Sequence, residues 1–157
     1  MICCFTGHRN IPDGHIMKLP GLLDSELERL IVGGVTVFRG GGALGFDTLA
    51  ELKALEKRNK YPFIRLELIL PCRNQTDGWS KRNREIYEYI ASKADNVEYV
   101  TDAYTQYCMY ERNRRLVNGS DFCVAYCMSE VGGSAFTCSY ARKKGVEVIN
   151  LGERFRP

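Results

Sequence analysis

Along this chain, short apolar runs alternate with longer stretches whose apolar positions fall at helical spacing. Ile2–Thr6, Val35–Arg39, Ile64–Leu70, Val97–Val100, Asp121–Tyr126 and Val146–Leu151 are short, apolar and bounded by glycine, proline or polar residues, so they read as strands. Leu22–Val32 carries Leu22, Leu23, Leu27, Leu30 and Ile31 on one helical face and stops at Gly33-Gly34. Asp47–Arg58, Lys81–Lys93 (Ile86, Tyr89 and Ile90 inward), Tyr110–Val117 and Ala135–Lys144 complete the helices. The last of these sets Arg142, Lys143 and Lys144 against the negative end of its dipole, with Gly145 as its C′ residue. Pro12, Gly14 and Pro20 mark a loop before the first helix.

Apolar strands that alternate with helices imply βαβ crossovers. The expected fold is therefore a three-layer α/β domain, its mainly parallel sheet covered by helices on both faces. The 157 residues make a single domain, 1–157, with no linker or repeat and enough length to bury a sizeable core. Hydrophobic residues at 45% and charged residues at 26% are an ordinary globular balance. No apolar run reaches the ~20 residues of a membrane span, and Met1–Arg9 lacks the basic-then-apolar order of a secretion signal. Seven cysteines are an odd number at irregular spacing, without a Cys-x-x-Cys pair and with only two histidines, so neither a disulfide framework nor a zinc site is expected. They read as small buried hydrophobes of a reduced, cytoplasmic protein. A net charge of +3 is too small to argue for nucleic acid.

In sheets of this kind, ligands bind beyond the C-terminal ends of the strands, where the strand order reverses. Four segments fall there: Thr6-Gly7-His8-Arg9, Arg39-Gly40-Gly41-Gly42-Ala43, Pro71–Trp79, and Val131-Gly132-Gly133-Ser134. The second and fourth lead from a strand through a glycine turn into a helix. Such a turn offers free N–H groups to an anion, and glycine permits close approach where a Cβ would block it. Gly41, Gly42, Ala43, Gly132, Gly133 and Ser134 are thus the candidate phosphate contacts, Ser134 either lending its hydroxyl or capping its own helix. His8 and Arg9 are cationic donors to phosphate or an exposed loop pair. A carboxylate repels phosphate, so Asp47 is expected to cap its helix or to accept from ribose hydroxyls. Glu51, one turn on, is a second polar contact or a solvated residue. Gln75 and Trp79 either bond and stack a base or simply pack. Two histidines support no Ser/His/Asp set and no metal cluster, which leaves a nucleophilic hydrolase unsupported.

Taken in order, several pieces resemble the YpsA-like family of the SLOG superfamily, a group of unknown function related to DprA and to the LOG phosphoribohydrolases. They are Thr6-Gly7-His8-Arg9, Gly41–Asp47, Leu70-Pro71 with Gln75 and Trp79, Arg112-Asn113 before Ser120-Asp121, and Gly132-Gly133-Ser134-Ala135 before Tyr140-Ala141. The resemblance implies a Rossmann-like domain with a nucleotide-type ligand in the crevice over the strand ends. The LOG glycine turn has the form Pro-Gly-Gly-x-Gly-Thr-x-x-Glu. Here Val131 precedes Gly132-Gly133, Ala135 stands at the third glycine, and no acid follows through Lys144. N-glycosidic hydrolysis then lacks its carboxylate unless Asp47 or Glu51 replaces it. DprA-like members bind single-stranded DNA, whereas the weak charge and the absence of an added domain argue against nucleic acid here.

The expected function is binding of a nucleotide or ADP-ribose-like ligand by a sensor or regulator. The alternatives are hydrolysis of a nucleoside phosphate, and single-stranded nucleic-acid binding through Arg112, Arg114, Arg115, Lys81, Arg82 and Arg84. No catalytic residue is assigned, no metal and no membrane partner are expected, and a homo-oligomer remains open.

Overall fold

The apolar segments pair into one six-stranded sheet in a computed structural model that describes residues 1–157. Its strands are β1 (Ile2–Gly7), β2 (Val37–Gly40), β3 (Arg65–Cys72), β4 (Asn96–Thr101), β5 (Phe122–Tyr126) and β6 (Glu147–Asn150). The order is β4-β3-β2-β1-β5-β6 and every pairing is parallel. The chain first builds outward from β1 through β2 to β4, then returns to lay β5 and β6 on the other side. The strand order therefore reverses at the junction of β1 and β5.

Six helices connect these strands: α1 (Asp13–Ile16), α2 (Leu19–Val32), α3 (Phe46–Lys57), α4 (Lys81–Lys93), α5 (Cys108–Val117) and α6 (Gly133–Lys143). Successive residues of β1 point to opposite faces, as strand geometry requires. Cys3 and Phe5 join the larger core with Leu23 and Leu27 of α2, Ala50 and Ala54 of α3 and Ile90 of α4. Cys4 joins a smaller core with Leu116 and Val117 of α5 and Ala141 of α6. The layers are thus α2–α3–α4, sheet, α5–α6, an α/β Rossmann-like fold. All seven cysteines are buried free thiols. No helix is long and apolar enough to cross a membrane.

Differences from the sequence reading lie at the ends of elements. The expected loop from Pro12 to Pro20 contains α1, and α2 starts at Leu19 with Pro20 in its first turn, where a missing N–H breaks no helical bond. The last strand ends at Asn150, and Leu151–Phe155 forms a 3₁₀ turn whose Phe155 ring stacks 4.1 Å from His15. Nδ1 of His15 shares a hydrogen bond with the buried Tyr126 hydroxyl, which ties the C-terminal turn to the end of β5. Gly145 ends α6 with φ +76°; its N–H reaches Arg142 O (3.1 Å) and that of Val146 reaches Ala141 O (2.9 Å), a Schellman closure.

Phe46, the first residue of α3, locks the strand ends together. Its ring is fully buried, stacks on Tyr126 with centroids 6.0 Å apart, and leaves no room at Gly7, where a Cβ would lie 2.5 Å from it. Phe46→Ala is expected to cost about 3–5 kcal/mol, the range for emptying a buried aromatic site. Urea unfolding checks this, and a loss below about 1 kcal/mol would contradict the role given to the ring.

Candidate functional site

Where β1 and β5 part, a cavity of about 270 Å³ opens beyond their C-terminal ends. Thr6, Gly7, His8 and Arg9 form one wall, Ala43 and Asp47 a second, and Val131, Gly132, Gly133 and Ser134 a third. The fourth wall comes from α5: Met109, Arg112, Asn113 and Leu116, with Phe5 at the base. Gly41, Gly42, Gln75 and Trp79 lie outside this lining. Gln75 donates through Nε2 to Gly41 O (3.3 Å), and Trp79 packs edge-on against Tyr87, 5.6 Å between centroids.

The two glycine turns do different work. A Cβ on Gly40 would lie 2.1 Å from Glu51 Oε2, one on Gly41 would lie 2.7 Å from Arg112 Nη1, and one on Gly42 would meet Leu70. The first turn is bare so that buried side chains can lie against its backbone, a correction to its reading as an opening for phosphate. The N–H of Gly42 is already given to Glu51 (2.9 Å), and the carbonyl of Gly41 accepts from Arg112. At the second turn nothing lies within 4 Å of a Cβ built on Gly132, whose φ is +100°. No side chain caps α6, and its first internal bond is that of Phe136 N–H to Gly132 O (2.9 Å). The N–H groups of Gly133, Ser134 and Ala135 therefore have no partner within the helix. Ser134 sits inside the helix rather than at its cap, which removes the capping alternative.

His8 is a fastener rather than a cation. Its Nε2 accepts the Met128 N–H (2.7 Å), its own N–H goes to Tyr126 O (3.1 Å), and its carbonyl accepts from Phe46 N–H (3.1 Å). Burial also lowers its pKa, so the ring stays neutral at Nε2. Arg9 is exposed at the cavity rim and is the cation of the pair.

At and behind the cavity wall lies a group of buried polar side chains. Asp47, Glu51, Arg112 and Asn113 are all nearly inaccessible. Asp47 accepts the Ala43 N–H (3.3 Å) across the turn that precedes its own helix, so it neither caps α3 nor stands free. Arg112 donates to Asn113 Oδ1 (2.8 Å), to Gly41 O and weakly to the Met109 sulfur (3.7 Å), and to neither carboxylate. Burial lifts the Asp47 carboxyl to about 6, with Arg112 pulling the other way. Glu51 is raised further, by burial and by Asp47. Arg112 is lowered by its own desolvation. Met109, Arg112, Asn113 and Leu116 were missed as a set, although their i, i+3, i+4, i+7 spacing is the stripe by which α5 faces inward.

A family model described as the YspA SLOG family (YpsA) matches residues 4–147. The chain belongs to the YpsA SLOG family. Its curated relatives include UPF0398 proteins of Bacillus thuringiensis (strain Al Hakam) and Bacillus cereus (strain AH187), each 29% identical over 143 residues, covering 88% of this chain and 72% of the relative. Among solved structures, DNA processing protein A (DprA) of Helicobacter pylori superposes with a TM-score of 0.68 at 21% identity, and that of Streptococcus pneumoniae with 0.63 at 18%. These alignments take in 94% and 93% of this YpsA-family chain but only 63% and 48% of the two DprA chains, and at such identity they establish the fold alone.

Two outcomes follow from the YpsA-family chain's geometry. Gly40→Ala is expected to destabilise by about 1–3 kcal/mol, because its Cβ must displace a buried carboxylate, whereas Gly133→Ala, with no neighbour nearer than 3.9 Å, is expected to stay within about 1 kcal/mol of the wild type. Denaturant titration of both separates the turns. The second outcome is pH-dependent. A carboxyl raised from 3.8 to about 6 keeps a proton in the folded chain that the unfolded chain has lost, so stability falls as pH rises from about 4 through 6 and then levels off. For Asp47 that decline amounts to about 3 kcal/mol at most. Thermal unfolding between pH 4 and 8 should show a shallower decline for Asp47→Asn than for the wild type.

Proposed function

We propose that this chain binds a nucleotide-type ligand, with a phosphate group at the α6 N-terminus and a ribose deeper in the cavity. One observation carries the reading: an uncapped, unobstructed helix N-terminus faces a cavity whose other walls hold Arg9 and a buried guanidinium with no carboxylate partner. Helix N–H groups and dipole favour an anion there. Ser134 adds a hydroxyl and Arg9 a flexible charge. Asp47 and Asn113 offer acceptors and donors for sugar hydroxyls, while Phe5, Met109, Leu116 and Val131 supply apolar surface. A volume of about 270 Å³ suits a sugar phosphate, with the base directed outward. A sensor or regulator needs no more than this binding.

Two rivals remain in the same cavity. Hydrolysis of a nucleoside phosphate is favoured by the Asp47 carboxyl at about 6, which suits general acid–base chemistry. Asp47 is also the only acid among the cavity residues, since Glu51 lies behind the first turn and α6 has no acid in its first turn. Incubation with AMP and detection of free base tests it. Single-stranded nucleic acid is the other rival, because the Helicobacter pylori DprA structure is described by its single-stranded DNA binding mode.

Calorimetry with AMP, ADP-ribose, NAD and a short single-stranded oligonucleotide decides among them. Binding of the small ligands is expected, with Arg9→Ala weakening it about ten- to hundredfold, as loss of a charge-assisted phosphate contact implies. Absence of binding to all three small ligands at millimolar concentration overturns the proposal. Oligonucleotide binding that falls steeply with salt would transfer the site to nucleic acid.

A further inference from the structure

Asp47 and Glu51 stand one helical turn apart on α3, both almost wholly buried, and no cation is bonded to either. Glu51 is held by the Gly42 N–H, while Asp47 forms part of the cavity wall. The charged and titratable groups around them come from every neighbouring element. From the loop after β1 come Arg9, at the exposed rim, and His8, whose ring is held neutral at Nε2 by Met128. From α5 come Arg112 and, beyond it, Cys108. From α4 comes Tyr87, whose buried hydroxyl has no partner, and from β3 comes Cys72. Two buried carboxylates thus face one buried guanidinium, which is itself bonded elsewhere. An anion placed on the α6 N-terminus adds a third negative centre against Asp47 inside a small cavity. In a low-dielectric site, crowded like charges are relieved when one carboxylate takes a proton.

We infer that the cavity binds its anionic ligand together with one proton from solvent, taken up by Asp47 beside the buried Glu51. This rests on the reading of the cavity as an anion site. The step is simple: a carboxylate and a proton become a carboxyl. Once protonated, Asp47 donates an O–H bond toward the anion it would otherwise repel. The presence of an acid in a phosphate cavity, awkward from the sequence, then acquires a purpose. The raised carboxyl of Asp47 agrees with this, since near pH 8 the unliganded pair still has a proton to gain.

The test uses the whole chain with sulfate and ADP-ribose as probes, neither of which titrates between pH 6 and 8.5. Calorimetry in two buffers of unlike ionisation enthalpy reads the proton directly. The expected result is uptake approaching one proton at pH 8, with Kd rising up to about tenfold per pH unit above pH 7. Asp47→Asn is expected to bind with no uptake and a flat profile. Should that variant fail to fold, the wild-type measurement in two buffers stands without it. Wild-type binding with no proton uptake and a pH-independent Kd overturns the inference while leaving the anion site in place. Uptake that persists in Asp47→Asn also overturns it. Failure of both probes to bind at every pH overturns the anion site itself.

Discussion

A buried carboxylate survives only where something donates to it, and at the end of β2 the donor is the main chain. Glu51 turns back from α3 to take the Gly42 N–H, and Arg112 reaches from α5 to the carbonyl of Gly41. Both contacts demand a backbone stripped of side chains, which Gly40, Gly41 and Gly42 provide. The rest follows from this requirement. It sets the path of the loop into α3, and so the position of Phe46 between Gly7 and Tyr126. It draws α5 across the sheet until Arg112 and Asn113 form the fourth wall. Polar groups here act as internal scaffolding, and hydrogen bonds to the chain itself offset part of their desolvation.

Much of this architecture could be read from the sequence because it rests on patterns with one physical cause. Apolar strands that alternate with helices leave little besides a parallel sheet covered on both faces, and the crevice at its strand ends comes with the topology. The convergence of Thr6–Arg9 and Gly132–Ser134 on one cavity is visible for that reason, whereas Gly40–Gly42 and Pro71–Trp79, expected beside them, lie outside its lining. What remained hidden depends on which neighbour fills a space. A glycine beside a ligand and a glycine beside a buried glutamate look the same in one dimension, so the first turn was read as open when it is packed. Similarly, Ser134 sits one position inside the end of α6, and His8 is committed to three backbone partners that lie far along the chain.

The likeness to DprA sharpens the separation between fold and ligand. The fold is common ground at about one-fifth identity, yet what a crevice accepts is decided by the few groups that reach into it. In this chain those are an uncapped helix, one free and one buried arginine, and an acid. The arrangement is compact, with charges of both signs within one small space.

The packed turn also changes how glycine signatures should be weighed among relatives. A lineage that retains Glu51 and Arg112 must retain small residues at 40 and 41 whatever it binds, because the constraint is interior. Kinship traced through that stretch therefore measures inheritance of a frame. Divergence in ligand would be written elsewhere, in the open second turn and along the inward stripe of α5, where a substitution alters the occupant without disturbing the frame.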